Sequence, residues 1–543
     1  MQMFAKVFCF LFAIGSTMLF AQNSTVENEG AACSVTLPTS FNTANAKLPD
    51  PFKKLDGNRI STKEEWKCRR EEIKKLAERT IFGEKPAKPA TVTGTVSNTS
   101  ITVNVTEGGK SKDFSVTVSL PTTGSAPYPA IIRYDNSGAD ATTIRGQGVA
   151  VINYTPTSVG GETGGDRSKK SGAFFDIYGK SHKAGTLAAW AWGVSRIIDV
   201  IEQSGGSILK ADAIGVTGCS RYGKGAFAAG VFDQRVALTI PVEGGTGGVA
   251  IMRGAAKESG AQPPSSAFSE QPWLGDDFSA FQNNLNNLPV DMHEAVAMVA
   301  PRGLLILDKP GAADWLASRS GYASAMAGAE VYKALGVGGN ITYHSNNTSG
   351  SHCAWINEWK TPVEDNIKRF LLKTANPPAA PTINPRSDRT ETMSNWIDWT
   401  TPNLSGSIAP PASSSSKTAS SSSSRTISSS SSKAVSSSSS SRGSTLVSSS
   451  SKTVSSSSAE PTNIAFNNIP LTHFSLRALN GKTLFIEANS RAVVEIYNLR
   501  GHKTAVFDVS SASQTVDLSL PSGVYFAKVR GASMQHIRFV LKE

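Results

Sequence analysis

From residue 91 to residue 373 the chain alternates two kinds of apolar pattern. Short runs rich in β-branched and aliphatic residues read as buried strands: "PAIIRY" (129–134), "GVAVINY" (148–154), "AIGVTG" (213–218), "ALTIPVE" (237–243), "GLLILD" (303–308) and "ITYHS" (341–345). Between them lie helical stretches. "TLAAWAWGVSRIIDVIEQ" (186–203) is apolar on more than one face, and further helices are predicted from about 222, over 321–335 and over 362–373. Apolar strands joined by helices predict a parallel sheet covered on both faces, the three-layer α/β sandwich. Ahead of it, the stretches around 91–104 and 113–120 alternate apolar and polar residues and predict an antiparallel lead-in.

The pattern stops at residue 405. Residues 405–460 are almost entirely serine, interrupted at intervals by a single Lys or Arg. Such a stretch cannot bury enough apolar surface to offset its ordering entropy, so it reads as a flexible linker reaching ~40 Å. The same composition suits a glycosylated stalk. Alternation then returns at 484–487, 493–497, 504–508, 524–530 and 535–541, separated by Gly, Asn and Ser turns, and predicts a small all-β sandwich over 461–543. At the other end, "MQMFAKVFCFLFAIGSTMLFAQNST" sets Lys6 before an apolar run and a small residue before a polar stretch. This is a secretory signal over 1–21, cut near Ala21, and it is too short for a membrane anchor. With 543 residues, more than one domain is expected: signal 1–21, α/β domain 22–404, linker 405–460 and β-sandwich 461–543.

A net charge of +11 raises the question of nucleic acid. The placement of the charge answers it. Lys417, Arg425, Lys433, Arg442 and Lys452 sit in the serine stretch, and the segment after it carries nine basic residues against five acidic ones, so the α/β part is nearly balanced. No basic face with interleaved aromatics appears, and no nucleic-acid partner is expected.

Export changes the reading of the five cysteines. Cys9 leaves with the signal, and the remaining four suit two disulfides in an oxidising compartment. No C-x-x-C spacing points to zinc.

The chemistry gathers at "GVTGCSRYGKGAF", residues 215–227, between a strand and a helix. Parallel strands behind an antiparallel lead-in suggest an α/β-hydrolase, whose nucleophile sits on such a turn in a G-x-S-x-G pattern. Here Gly218 precedes Ser220, but Tyr222 stands at the second glycine position and Gly223 follows it. A serine hydroxyl needs a base, and the base needs an orienting group. Of the histidines in this domain, His293 falls in a helix, His344 in a strand, and His182 precedes the serine, against the fold's Ser–acid–His order. His352, in the glycine-bearing loop "NTSGSHCAW", satisfies that order. Cys219 adjoins Ser220 and Cys353 adjoins His352, so a bridge between them brings nucleophile and base together, because its Cα atoms must lie within ~7 Å. Cys33 then pairs with Cys68. For the acid, Glu243 and Asp308 both end strands, Asp314 is a third candidate, and periodicity does not separate them.

"GCSRYGKGAF" resembles the nucleophile motif of the glucuronoyl esterases, carbohydrate esterase family 15. "YGKSHKAGTLAAWAWGVSRIIDVIE", "LTIPVEGGTGG", "DWLASRSGY" and "SHCAW" resemble further landmarks of that family in its order, over about Cys33 to Lys373. The resemblance implies an α/β-hydrolase that cleaves esters between (4-O-methyl-)glucuronic acid on xylan and lignin alcohols. It implies Ser220 as nucleophile, His352 as base, Glu243 as acid and Arg221 facing the oxyanion. Lys224, Glu270 and Trp315, with Gln262, match its sugar-contacting positions, and the Cys219–Cys353 pairing agrees with its bridge. No metal or organic cofactor is implied, and a monomer is expected. The alternatives are another exported carbohydrate esterase, acetyl-xylan or feruloyl, or a non-catalytic cell-surface binding protein. In the tail, "VEIYNLRG" and "LPSGVYFAKVR" resemble the C-terminal sorting domains of Gram-negative type IX secretion cargo. This implies that secretion machinery as a partner, with passage through the periplasm to the surface or medium. A carbohydrate-binding module is the alternative for the tail.

Overall fold

Why the lead-in alternates is plain in the computed structural model, which describes residues 24–347 and 350–406 and, beyond them, seven strands between Phe474 and Leu541. The stretch around 91–104 breaks into two strands, β1 (Thr91–Val96) and β2 (Ser100–Glu107), at the turn "SNT", and β3 (Lys110–Ser119) follows. All three pair antiparallel, with Ile101, Val103, Val105, Phe114, Val116 and Val118 turned inward. One face is packed and the other wet, which is what alternation records.

The fully apolar runs are the central strands: β4 (Tyr128–Tyr134), β5 (Ala150–Tyr154), β6 (Leu209–Cys219), β7 (Val236–Val242), β8 (Gly303–Leu307) and β9 (Ile341–Ser345). With β10 (Thr382–Pro385) they complete one ten-stranded sheet ordered β1-β2-β3-β5-β4-β6-β7-β8-β9-β10, parallel from β5 onward. The helix Thr186–Gln203 is buried from Thr186 to Ile201. It packs on the sheet and against the helices Ala173–Tyr178 and Arg221–Phe232, which is why it is apolar around most of its circumference. Its inward charges are matched: Arg196 and Asp199 pair with each other, and Asp199 also pairs with Arg235. Glu27 of the N-terminal segment reaches into the same cluster against Lys85 and Arg196. Cys33 is bonded to Cys68, fastening that segment to the helix Glu65–Ala77.

Strand β10 was not predicted. It is a short, half-buried edge strand ending in proline and carries no apolar run. Beyond it the chain returns to the N-terminal segment, where Lys63 N–H donates to Ser405 O and Ser405 N–H to Ser61 O. The sheet ends its central strands at one edge, and there β6, β7, β8 and the loop after β9 deliver the candidate residues.

The described residues fall into two compact units. The second contains β11 (Phe474–Asn480), β12 (Thr483–Ala488) and β15 (Ala512–Asp517) in one antiparallel sheet. A second antiparallel sheet joins β14 (Lys503–Val509), β13 (Ala492–Asn498), β16 (Gly523–Arg530) and β17 (Met534–Leu541). All five strands read from the sequence are present. The two that were missed, β11 and β15, flank β12 at the edges of its sheet. The signal stretch 1–21 and nearly all of the linker 405–460 lie outside the described residues. Among the described residues no helix is long and apolar enough to cross a membrane.

Candidate active site

Strand β6 ends at Cys219 and the helix Arg221–Phe232 begins two residues later, leaving Ser220 alone to make the turn. It does so at φ 61°, ψ −129°, a conformation costly for any residue with a Cβ and kept only where the surroundings enforce it. The flanking glycines do the enforcing. A Cβ on Gly218 would lie 2.3 Å from Tyr222 O, and one on Gly223 would lie 2.4 Å from Val242 O. The departure from G-x-S-x-G is thus explained: the close approach to β7 falls on Gly223, while the Tyr222 ring turns away to tilt against Trp190. The Arg221 and Tyr222 N–H groups, at the start of the helix, have no preceding turn to donate to.

Glu243 follows β7 directly, at φ 47° and fully buried. His352 Nδ1 lies 2.5 Å from its Oε2, and the Cys353 N–H donates to the same oxygen at 2.7 Å. Lys309 Nζ stands 3.2 Å from Oε1. Cys353 is itself left-handed, at φ 64°, and is bonded to Cys219 with a Cα separation of 5.7 Å. Ligand-type atoms of Cys219, Glu243, His352 and Cys353 all lie within 4.8 Å of one another. The other edge of the imidazole, Nε2, is 3.5 Å from Cys353 Sγ, and the Trp315 ring meets the imidazole edge-on at 4.6 Å. Ser220 Oγ makes no hydrogen bond among the described residues; such contacts are often long before substrate binds.

The other candidates go elsewhere. Asp308, just beyond β8, is buried with its carboxyl meeting Tyr343, and burial together with the charge of Glu243 pushes that carboxyl up to about 7. Asp314 is exposed and pairs with Arg389. His182 packs on Phe174 and Tyr178. His293 is buried against Pro49 O, and burial pushes it down to about 4.

Four residues expected to contact sugar are joined to the imidazole by a chain of contacts. Lys224, in the first turn of its helix, is buried rather than solvated. It donates to Gly244 O at 2.6 Å and Thr246 O at 2.7 Å, with Trp273 beneath it at 5.3 Å. Burial pushes it down to about 8, although Glu270 opposes this. Thr246 Oγ1 donates to Gln262 O, Gln262 Nε2 donates to Glu270 Oε2 at 2.6 Å, and Gln262 N–H donates to Trp315 O. Trp315 is 39% exposed, so it is an open face rather than core. Arg221 is half-exposed, its Nε 3.2 Å from Glu162 Oε2, while Trp273 Nε1 donates to Glu162 Oε1. Two of these partners escape sequence reading. Glu162 sits in a glycine-rich loop without periodicity, and Lys309 was visible only as a cation closing an apolar strand.

This sheet order, with a strained serine at the end of a central parallel strand and a buried carboxylate at the end of the next, is that of an α/β-hydrolase. The description "Glucuronyl esterase, fungi" matches residues 103–336. The chain is 39% identical over 381 residues to a 4-O-methyl-glucuronoyl methylesterase of Hypocrea jecorina, spanning 69% of this chain and 80% of that protein. One of Podospora anserina is 36% identical, over 66% of this chain and 75% of its own. Among solved structures, the glucuronoyl esterase catalytic domain of Hypocrea jecorina is 38% identical with a TM-score of 0.61, covering 68% of this chain and 99% of that one. A glucuronoyl esterase mutant of Sporotrichum thermophile, in complex with methyl 4-O-methyl-β-D-glucopyranuronate, is 36% identical with a TM-score of 0.63, covering 69% and 100%. The chain belongs to the glucuronoyl esterases, carbohydrate esterase family 15, and is a carboxylic ester hydrolase.

Proposed function

We propose that Ser220, His352 and Glu243 hydrolyse esters between (4-O-methyl-)glucuronic acid on xylan and lignin alcohols through a glucuronoyl-serine intermediate. Ser220 Oγ attacks the ester carbonyl as His352 takes its proton, and Glu243 stabilises the imidazolium that forms. The carbonyl oxygen becomes an oxyanion beside the Arg221 guanidinium and the N–H groups opening the helix. A cation and dipoles fixed there act on charge that exists only after attack. The alcohol leaves with the proton from His352. Water, activated by the same imidazole, then attacks the acyl carbon and releases glucuronate and Ser220. The observation that carries the reading is the convergence of His352 Nδ1 on Glu243 Oε2 at 2.5 Å, beside a bridge that draws the serine's neighbour to the histidine's.

The substrate class is supported by Lys224, which among the described residues has two of its three donors on backbone carbonyls and one left over, by the Gln262–Glu270 pair and by the open face of Trp315. The Sporotrichum thermophile relative holds a methyl glucuronate in its crystal. The test is turnover of benzyl glucuronate, methyl galacturonate and an aryl acetate by the full chain. The glucuronate is expected to lead in kcat/KM by ~10²-fold, the scale on which a site built to bind particular hydroxyls rejects analogues that misplace them. A lead for the acetate sinks the glucuronoyl reading and leaves a general esterase.

We propose also that the protein is exported, through a signal over 1–21 and a sorting domain over 461–543 tethered by the linker 405–460 and read by type IX machinery on the way out of a Gram-negative periplasm. Two disulfides between described residues fit an oxidising destination. Two antiparallel sheets fit the tail. A chain ending at 459 is expected to accumulate before the outer membrane in its native host; unchanged release rejects the sorting role.

A further inference from the structure

Lys309 lies two residues beyond β8, and its side chain is fully buried. A lysine ammonium has three N–H donors and no acceptor. Here two of them go to Ser351 O at 2.6 Å and Ala354 O at 2.5 Å, and the ammonium is ion-paired with Glu243 Oε1 at 3.2 Å. Trp359 presents its ring to the same nitrogen at 5.0 Å. Among the described residues no other lysine or arginine pairs with Glu243.

We infer that Lys309 is a positioning residue for esterolysis: its buried ammonium holds the Glu243 carboxylate by one oxygen and the His352 loop by the two carbonyls that bracket His352 and Cys353. The inference rests on reading Glu243 as the acid. One cation thereby fixes three segments relative to one another, the ends of β7 and β8 and the loop after β9. Because Oε1 is held by Lys309, Oε2 is the oxygen that meets both His352 Nδ1 and the Cys353 N–H. The Cys219–Cys353 bridge fixes where the loop passes, but it does not determine which carboxylate oxygen faces the imidazole. Charge matters as well. A carboxylate wholly out of water persists when a cation is paired with it, and a neutral carboxyl stabilises an imidazolium poorly. Among the described residues Lys309 makes no hydrogen bond to Lys224, Gln262, Glu270 or Trp315 and no ion pair with Glu270.

The test measures kcat and KM on benzyl glucuronate for the full chain carrying Lys309→Met, Lys309→Gln, Glu243→Gln, and each Lys309 change combined with Glu243→Gln. The Met variant is expected to lose ~10² in kcat, the scale of a small misplacement transmitted to reacting groups, with KM changed less than ~2-fold. The Gln variant, which keeps an amide donor but no charge, is expected to lose less than the Met variant. Each double variant is expected to be no more than a few-fold slower than Glu243→Gln alone, because residues acting through one another do not add. Losses that multiply in the double variants, or wild-type kcat in the single ones, overturn the inference. If Lys309→Met does not accumulate as folded protein, the Gln variant and its double decide in the same way. A wild-type kcat for Glu243→Gln itself overturns the acid assignment, and this inference with it. Slow Glu243→Gln beside fast Lys309 variants overturns only the inference.

Discussion

Ser220→Ala is expected to lower kcat on benzyl glucuronate by ~10⁵-fold or more while leaving the fold in place. Removing the nucleophile of a serine triad typically costs about as much as removing the whole triad, and what survives comes from the oxyanion donors and binding. The fold survives for a local reason. Ser220 Oγ makes no hydrogen bond among the described residues, so its removal leaves no buried donor or acceptor stranded. Alanine has the same Cβ, so the variant inherits the strain at φ 61° without adding to it. Ser220→Gly is expected to be equally slow yet at least as stable, since glycine occupies positive φ without the Cβ penalty. The stability of the elbow and its activity thus pull in opposite directions, as strained catalytic positions do. The measurement is kcat together with thermal melting of both variants. Turnover above ~1% of wild type in Ser220→Ala, with melting unchanged, places the nucleophile elsewhere.

How much of this was legible follows from which interactions are local. Central strands such as β7 and β8 are buried on both faces, so their sequences are apolar throughout, and the Thr186–Gln203 helix is enclosed in the same way. Edge strand β10 is only half-buried, so selection for apolar residues leaves no pattern to read there. Ser220 was legible because its turn demands small neighbours, and His352 because chain order and the adjacent cysteines agree. The acid was not legible in this way. Glu243 and Asp308 both close buried strands, and which one faces the imidazole depends on the register of β7 against β8, on a left-handed backbone at Glu243 and on Lys309. None of these is encoded within a few residues of either carboxylate. Family resemblance pointed to Glu243 where periodicity did not, and His352 Nδ1 lies 2.5 Å from its Oε2. Glu162 and Lys309 act on Arg221 and Glu243 from loops far away in sequence, so no spacing announces them.

Those two carboxylates also give the second large effect. Glu243→Gln is expected to lower kcat by ~10⁴-fold, because an amide at that position neither carries the charge that stabilises the imidazolium nor reliably selects the productive tautomer. Asp308→Asn is expected to leave kcat within a few-fold, since that carboxyl meets Tyr343 while His352 Nδ1 lies 2.5 Å from Glu243 Oε2. The Asn variant instead reports on stability. Asp308 is raised to about 7 in the folded chain, well above an ordinary aspartate, so the unfolded chain releases its proton first. The protonated form favours the fold at low pH, and that contribution is lost as pH rises through about 7. Asparagine cannot ionise, so its melting temperature should gain on wild type between pH 5 and pH 8, with the two closest at the acid end. Were Asp308 the working acid instead, kcat would collapse in the Asn variant and survive in Glu243→Gln. One pair of proteins assayed across that pH range therefore separates the carboxylate that handles charge during turnover from the one that holds a proton in the core.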